Sequence, residues 1–351
     1  MERAIYRIID ANFNRAREAA RVMEEYCRFA LASSALSLRA KELRHRLCRA
    51  ADQLDARMLA AARDCDDDVG RGMRVGDQMV RGSLADCSTA AAKRLTEALR
   101  ALAETVGVLD PDLAGAFEGL RFDAYTLEKD IALTASAAER FKAVRLYVLI
   151  TTGPDDPPGR IVDLAAQCAD GGADCLQLRA KGITDDRLFA LAQDFVKVCT
   201  EHNVISIIND RTDIAVAAGA DGVHLGQNDL GIAQGRKLQK RPMIFGISTH
   251  SLDQLDGAIE QTPAYVALGP VFPTATKPNE PCVGLEYIAT ATEKLEATGI
   301  AHVAIGGITL DNVDAVLHAG ARAIAVCAAV TARDDPTGQC RSLKGKMAGR
   351  P

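Results

Sequence analysis

The sequence predicts an α/β chain in two parts, an all-α helical bundle followed by a (β/α)8 TIM barrel. Two observations carry this. From Arg145 onward, eight apolar runs of strand length alternate with segments of helical pattern, as parallel strands covered by helices require. Ahead of them, four helical segments read as two copies of one hairpin. The expected boundaries are a bundle over 1–133, a helical linker over 134–144 and a barrel over 145–351.

The bulk properties set limits on function. A chain of 351 residues, 48% hydrophobic and 25% charged, has the composition of a globular protein with real cores. Its formal charge of -5 and lack of a basic block argue against nucleic acid or a membrane surface as partner. The charged start MERAIYRIIDANFNRARE is not a signal peptide, and no apolar run spans a bilayer, so a cytoplasmic location is expected. The expected partners are small phosphorylated molecules, and a homo-oligomer is compatible with the sequence. Ten cysteines run from Cys27 to Cys340 without a C-x-x-C, which predicts reduced thiols. Cys168, Cys175 and Cys327 read as small core residues.

In the bundle, Asp10 is placed to cap a helix to about Leu31, with Phe13, Ala16, Ala20, Met23 and Phe29 as its apolar stripe. A second helix is expected from Ala35 to Arg63, then a loop, then helices from Asp86 to Val106, ended by Gly107, and from Pro111 to Leu133. Arg15, Glu18, Arg21 and Glu25 recur as Arg94, Glu97, Arg100 and Glu104, and Leu43-Arg44 recurs as Leu120-Arg121. Helical spacing makes these ion pairs on solvated faces. The run Asp66-Asp67-Asp68 either holds a cation or is solvated.

The barrel strands are expected at Leu146 to Thr151, Cys175 to Lys181, Ile205 to Asp210, Gly222 to Gly226, Ile244 to Thr249, Tyr265 to Pro270, His302 to Gly307 and Ala323 to Ala329. Their polar residues gather at the C-terminal ends, the active-site face of this fold. Asp210 and Asp229 end neighbouring strands, where they either share a cation, most naturally Mg2+, or cap the following helices. Gln177, Arg179 and Lys181 alternate along one side of a strand. They call for an anionic ligand or for an ion pair such as Arg179 with Asp210. Ser248 and Thr249 precede His250 and are either site hydroxyls or helix caps. The long loop after Gly269-Pro270 carries Thr274, Thr276 and Lys277, donors suited to phosphate. Gly306-Gly307 and Cys327-Ala328-Ala329 lie after strands seven and eight, where backbone N–H groups often bind phosphate. His224 and His250 read as structural. A short last helix ends in KGKMAGRP, a basic tail expected to fray.

Taken together, QLRAK, INDR, GVHLGQND, GISTH, GPVFPTATK and AIGGI, in that order at successive strand ends, resemble thiamine phosphate synthase from Arg145 to Pro336. That resemblance implies condensation of a hydroxymethylpyrimidine diphosphate with a thiazole phosphate, releasing pyrophosphate, with Mg2+ as cofactor. By position it implies Gln177, Arg179, Lys181, Asn209, Ser248 and Lys277 for the pyrimidine diphosphate, and Asp210 and Asp229 for the metal. Thr274, Thr276 and the backbone of Gly307, Cys327 and Ala328 fall on the thiazole phosphate, and Arg179, Lys181, Lys277 and Ser248 on catalysis. Ala328 stands where the family usually has Ser. Rival readings are a thiazole tautomerase-like barrel and a phosphate-ligand sensor without turnover. DANFNRAREAARVMEEY, RDCDDDVG and KRLTEALRALAE resemble a domain often fused ahead of this synthase, proposed as an alternative hydroxymethylpyrimidine phosphate kinase. A docking or dimerisation module is the competing reading.

Overall fold

The structure is a computed structural model describing residues 2–31, 33–73, 76, 80–239, 241–274 and 280–348. The chain divides into two compact units, Met1–Ala132 and Leu133–Pro351.

The first helix, α1 (Glu2–Glu25), starts earlier than expected. Ile5 and Ile9 extend the apolar stripe of Phe13, Ala16, Ala20 and Met23 toward the N-terminus. Asp10 therefore caps nothing. It is 7% exposed inside the helix, and its carboxylate accepts hydrogen bonds from Arg63 Nε at 2.8 Å and Nη2 at 2.6 Å. At Tyr26–Ala30 the chain makes a π-helical turn, which shifts the helical phase. As a result Phe29, expected in the stripe, is 71% exposed, and Cys27 is buried.

Ser33 caps α2 (Ser34–Ala51), its Oγ accepting the Leu36 N–H at 3.2 Å. The long second helix expected from the sequence breaks after Ala51. There the Asp55 carboxylate accepts the Arg57 and Met58 N–H groups and starts α3 (Ala56–Ala62). Ser83 caps α4 (Leu84–Val106). Gly107 follows α4 at φ −57°, a conformation open to any residue, so glycine's freedom is not what ends that helix. The last, α5 (Pro111–Lys142), runs unbroken through the segment read as a linker.

Both copies of the duplicated pattern make the expected exposed pair, Arg21 to Glu25 at 2.9 Å and Arg100 to Glu104 at 2.7 Å. Elsewhere the copies have diverged. Arg44 reaches Glu24 on α1, whereas Arg121 pairs with Glu118 on its own helix. In the acidic loop, Asp66 takes Arg71 and Asp68 takes the Gly70 N–H. Among the described residues no group of three acidic, His or Cys side chains gathers to hold a metal.

The second unit is a closed parallel barrel in sequence order: β1 (Leu146–Thr152), β2 (Cys175–Ala180), β3 (Ile205–Asn209), β4 (Gly222–Leu225), β5 (Ile244–Thr249), β6 (Tyr265–Leu268), β7 (Ala301–Ile305) and β8 (Ile324–Val326). Alternation divides each strand. Val148, Leu176, Ile208, Val223, Phe245 and Val266 pack outward on the helices. Tyr147, Leu149, Cys175, Ile207, Tyr265 and Val303 fill the interior, where Ala137 and Phe141 of α5 join them. Phe141 stacks on Tyr265 with ring centroids 3.8 Å apart and planes 4° apart. The tail KGKMAGRP is described as far as Ala348. Helix Pro336–Met347 buries Met347, and Lys344 and Lys346 pair with Asp174 and Asp314. No described helix is long and apolar enough to cross a membrane.

His302, on β7, is buried, and its Nε2 accepts the Arg322 N–H at 3.1 Å. Burial pushes the imidazole down from 6.5 to about 4. Between these values the unfolded chain binds a proton that the folded chain does not. Stability is therefore full above pH 6.5 and falls as pH drops toward 4, by about 3 kcal/mol in total. Urea unfolding at about pH 7.5 and at about pH 4.5 should show most of this loss, and His302→Gln should reduce it.

Candidate active site

A cavity of about 300 Å³ opens among the strand ends. Its wall brings together Gln177, Arg179, Asn209, Ser248, Thr274, Gly307, Cys327 and Ala328 from six different strand ends. These are eight of the positions singled out in the sequence. Thr276 and Lys277 lie outside the described residues. Lys181, Asp210 and Asp229 are not in the wall itself.

Those three form one cluster. Lys181 Nζ donates to Asp210 Oδ2 at 2.6 Å, and the carboxyls of Asp210 and Asp229 are in hydrogen-bonding contact. The alternative pair of Arg179 with Asp210 is not formed. Neither acid caps a helix, since the following helices, Thr212–Ala218 and Ile232–Leu238, have Arg211 and Gly231 at their N-caps and no side-chain cap. Instead Asp229 Oδ2 accepts the Gly226 N–H at 2.6 Å. Asp210 sits at φ +62°, left-handed backbone that Asp and Asn tolerate better than most residues. This lets its N–H donate to the His224 carbonyl at 2.8 Å.

The local charges pull the two carboxyls apart. Burial raises Asp210, but hydrogen bonds from Lys181 and Asp229 outweigh it and hold the group below its usual range. Burial and the Asp210 contact raise Asp229, against the opposing Gly226 N–H. The two neighbouring carboxyls are thus shifted in opposite directions.

At the other side of the cavity the wall is backbone. Gly306 at φ +106° and Gly307 at φ +64° need glycine twice over. A Cβ on Gly306 would fall 2.4 Å from Pro270 Cα, and one on Gly307 2.6 Å from the Pro273 carbonyl. The tight-turn reading of this pair holds, and the turn also lines the cavity.

The structure adds to the sequence reading of several residues. Cys327, expected as a core residue, is half-buried in the cavity wall. His224 and His250, read as structural, also line it. His224 lies between Tyr265 Oη on Nδ1 and Ser248 Oγ on Nε2, each at 2.9 Å. Tyr147 and Tyr265 received no role from the sequence, because an aromatic in an apolar run reads as core. Ser251, not Ser248 or Thr249, caps the helix after β5.

Fold and site together define a (β/α)8-barrel enzyme whose polar residues gather around one cavity at the C-terminal strand ends. Residues 146–330 match the family model for thiamine monophosphate synthase, and residues 7–130 match the ThiD2 family. The chain is 37% identical over 335 residues to thiamine-phosphate synthase of Gloeobacter violaceus, covering 95% of this chain and 94% of that one. It is 35% identical over 348 residues to thiamine-phosphate synthase of Thermosynechococcus vestitus, covering 98% and 96%. Among solved structures, thiamine phosphate pyrophosphorylase from Pyrococcus furiosus superposes with a TM-score of 0.53 at 30% identity, over 60% of this chain and 97% of that one. The chain belongs to the thiamine-phosphate synthase family, and it is a transferase of thiamine biosynthesis.

Proposed function

We propose that the barrel joins 4-amino-2-methyl-5-hydroxymethylpyrimidine diphosphate to 4-methyl-5-(2-phosphoethyl)thiazole, giving thiamine phosphate and pyrophosphate in the cytoplasm. One observation carries this: a single cavity has Arg179 in its wall, with the Lys181, Asp210 and Asp229 cluster after the same and neighbouring strands, and glycine backbone on another side. The first suits a diphosphate, the second a monophosphate.

In this reading Gln177, Asn209 and Ser248 hold the pyrimidine. The pyrimidine methylene–oxygen bond breaks and its electron pair leaves with pyrophosphate. Arg179 and Lys181 stabilise that charge as it develops. The thiazole nitrogen then forms the new carbon–nitrogen bond with its lone pair, while Thr274, Thr276 and the N–H groups at Gly307, Cys327 and Ala328 hold the thiazole phosphate. Ala328 supplies no hydroxyl, so at that position the phosphate rests on backbone alone.

Magnesium fits the acid pair. Both donors are carboxylates already in contact, and with no third acid in the described group, coordination positions are left for water and diphosphate oxygens. Bound by Asp210 and Asp229, Mg2+ would supply charge neutralisation for the leaving group.

Incubating the full chain with both substrates and Mg2+ tests the reading. Thiamine phosphate with matching pyrophosphate supports it. Isomerised thiazole phosphate with no use of the diphosphate indicates a tautomerase, and saturable binding without turnover a sensor. Lys277 belongs to this proposal as a contact to the leaving group. Lys277→Ala should slow single-turnover bond breaking about tenfold or more, while Thr276→Ala should mainly raise KM for the thiazole phosphate.

For the helical unit, the ThiD2 match supports a hydroxymethylpyrimidine phosphate kinase that makes the diphosphate the barrel uses. Diphosphate accumulating from ATP and the monophosphate, with thiazole phosphate withheld, is the expected result.

A further inference from the structure

Five interior side chains form one unbroken hydrogen-bonded line. Gln177 Nε2 lies 2.5 Å from Tyr147 Oη, Tyr147 Oη 3.0 Å from Tyr265 Oη, Tyr265 Oη 2.9 Å from His224 Nδ1, and His224 Nε2 2.9 Å from Ser248 Oγ. Both tyrosines are fully buried, and Gln177 is 1% exposed. The strand register explains how the rings meet. His224 on β4 and Tyr265 on β6 both neighbour Gly246 on β5. Because Gly246 has no side chain, the Tyr265 ring occupies the space where a Cβ would stand, its Cζ 2.1 Å from that point.

The line has a direction. A carboxamide Nε2 only donates, so Tyr147 Oη accepts from it and passes its own proton toward Tyr265. Tyr265 in turn donates to Nδ1, which makes His224 the neutral Nε2–H tautomer, and that N–H donates to Ser248 Oγ. The Ser248 proton is then left to face the cavity that Ser248 lines. At the other end, Gln177 Oε1 is buried with no hydrogen-bond partner, and Gln177 lines the same cavity.

We propose that Tyr147, Tyr265 and His224 are positioning residues that fix Gln177 as an acceptor and Ser248 as a donor toward the bound ring. The site then selects a planar heterocycle that offers an N–H to Gln177 and a ring-nitrogen lone pair to Ser248. An amino-substituted pyrimidine has both groups. Its hydroxy counterpart, which in the keto form presents a carbonyl in place of the amine and carries the proton on a ring nitrogen, sets an acceptor against Gln177 Oε1 and is rejected. The selection rests on the synthase reading above; the direction of the line does not.

The test reads the His224 tautomer by 15N NMR on the full-length, substrate-free chain, at a pH where histidine is neutral, with His224→Gln supplying the assignment. Wild type should show Nε2–H. Gln177→Glu, whose carboxylate only accepts, should reverse the line and give Nδ1–H, a change that a merely structural role for the tyrosines would not produce. Tyr265→Phe should leave His224 a mixture of tautomers and raise KM for the pyrimidine diphosphate roughly tenfold, with KM for the thiazole phosphate unchanged. An Nδ1–H or doubly protonated His224 in wild type overturns the proposal. So does a folded Gln177→Glu chain with its tautomer unmoved. Should Gln177→Glu fail to fold, the wild-type and Tyr265→Phe spectra decide. No synthase activity with the predicted tautomers would overturn the functional reading and leave the line standing.

Discussion

Asp210→Asn should lower kcat by roughly two to three orders of magnitude while the barrel keeps its fold. Asparagine adopts the left-handed backbone of Asp210 at φ +62° about as readily as aspartate does, and the N–H to the His224 carbonyl is untouched. What goes is a negative charge beside Lys181 and Asp229. The loss should therefore appear in kcat and in the Mg2+ concentration needed for half activity, with the melting temperature nearly unchanged. Normal turnover with normal Mg2+ dependence in this variant would remove Asp210 from the mechanism.

Gly246→Ala should destabilise the barrel by about 1–3 kcal/mol or more, from a single methyl group. The added Cβ would fall 2.1 Å from Tyr265 Cζ and 2.4 Å from its hydroxyl. The ring has nowhere to go, since it is stacked on Phe141 and hydrogen-bonded to Tyr147 and His224. Urea unfolding of wild type and variant measures the cost. A midpoint within error of wild type would mean that the ring relaxes freely and that Gly246 is not what admits it.

Much of this was legible in the sequence, and what was not has particular physical reasons. The eight strands could be placed because each is an apolar run bounded by turn residues, and β5 spans Ile244–Thr249 as expected. The cavity residues could be found because a Gln or Arg inside an apolar run has no cheap explanation other than a ligand. Tyr147 and Tyr265 could not, since a phenol in such a run is already explained as core, and only the closed barrel brings their hydroxyls together. The partner of Lys181 was beyond reach for a related reason. Alternation puts Arg179 and Lys181 on the same side, and Asp210, just past the end of β3 in left-handed backbone, meets Lys181, which lies just past the end of β2. In the bundle, local rules failed where long-range contacts won. Asp10 has the chemistry of a cap, but Arg63, distant in sequence, gives it a partner inside the helix. The Phe29 stripe assumed an unbroken 3.6-residue period, which the π-helical turn at Tyr26–Ala30 interrupts.

In the proposed mechanism Asp210 and Asp229 would hold a divalent cation that neutralises the leaving pyrophosphate, and this is measurable without turnover. Mn2+ can stand in for Mg2+ and be counted by equilibrium dialysis and its paramagnetic signal, with and without inorganic pyrophosphate. The account predicts one Mn2+ per chain, bound more tightly when pyrophosphate is present, and lost from the folded Asp210→Asn, Asp229→Asn double variant. Unchanged Mn2+ and pyrophosphate binding in that variant would contradict it and leave the leaving group to Arg179 and Lys181 alone.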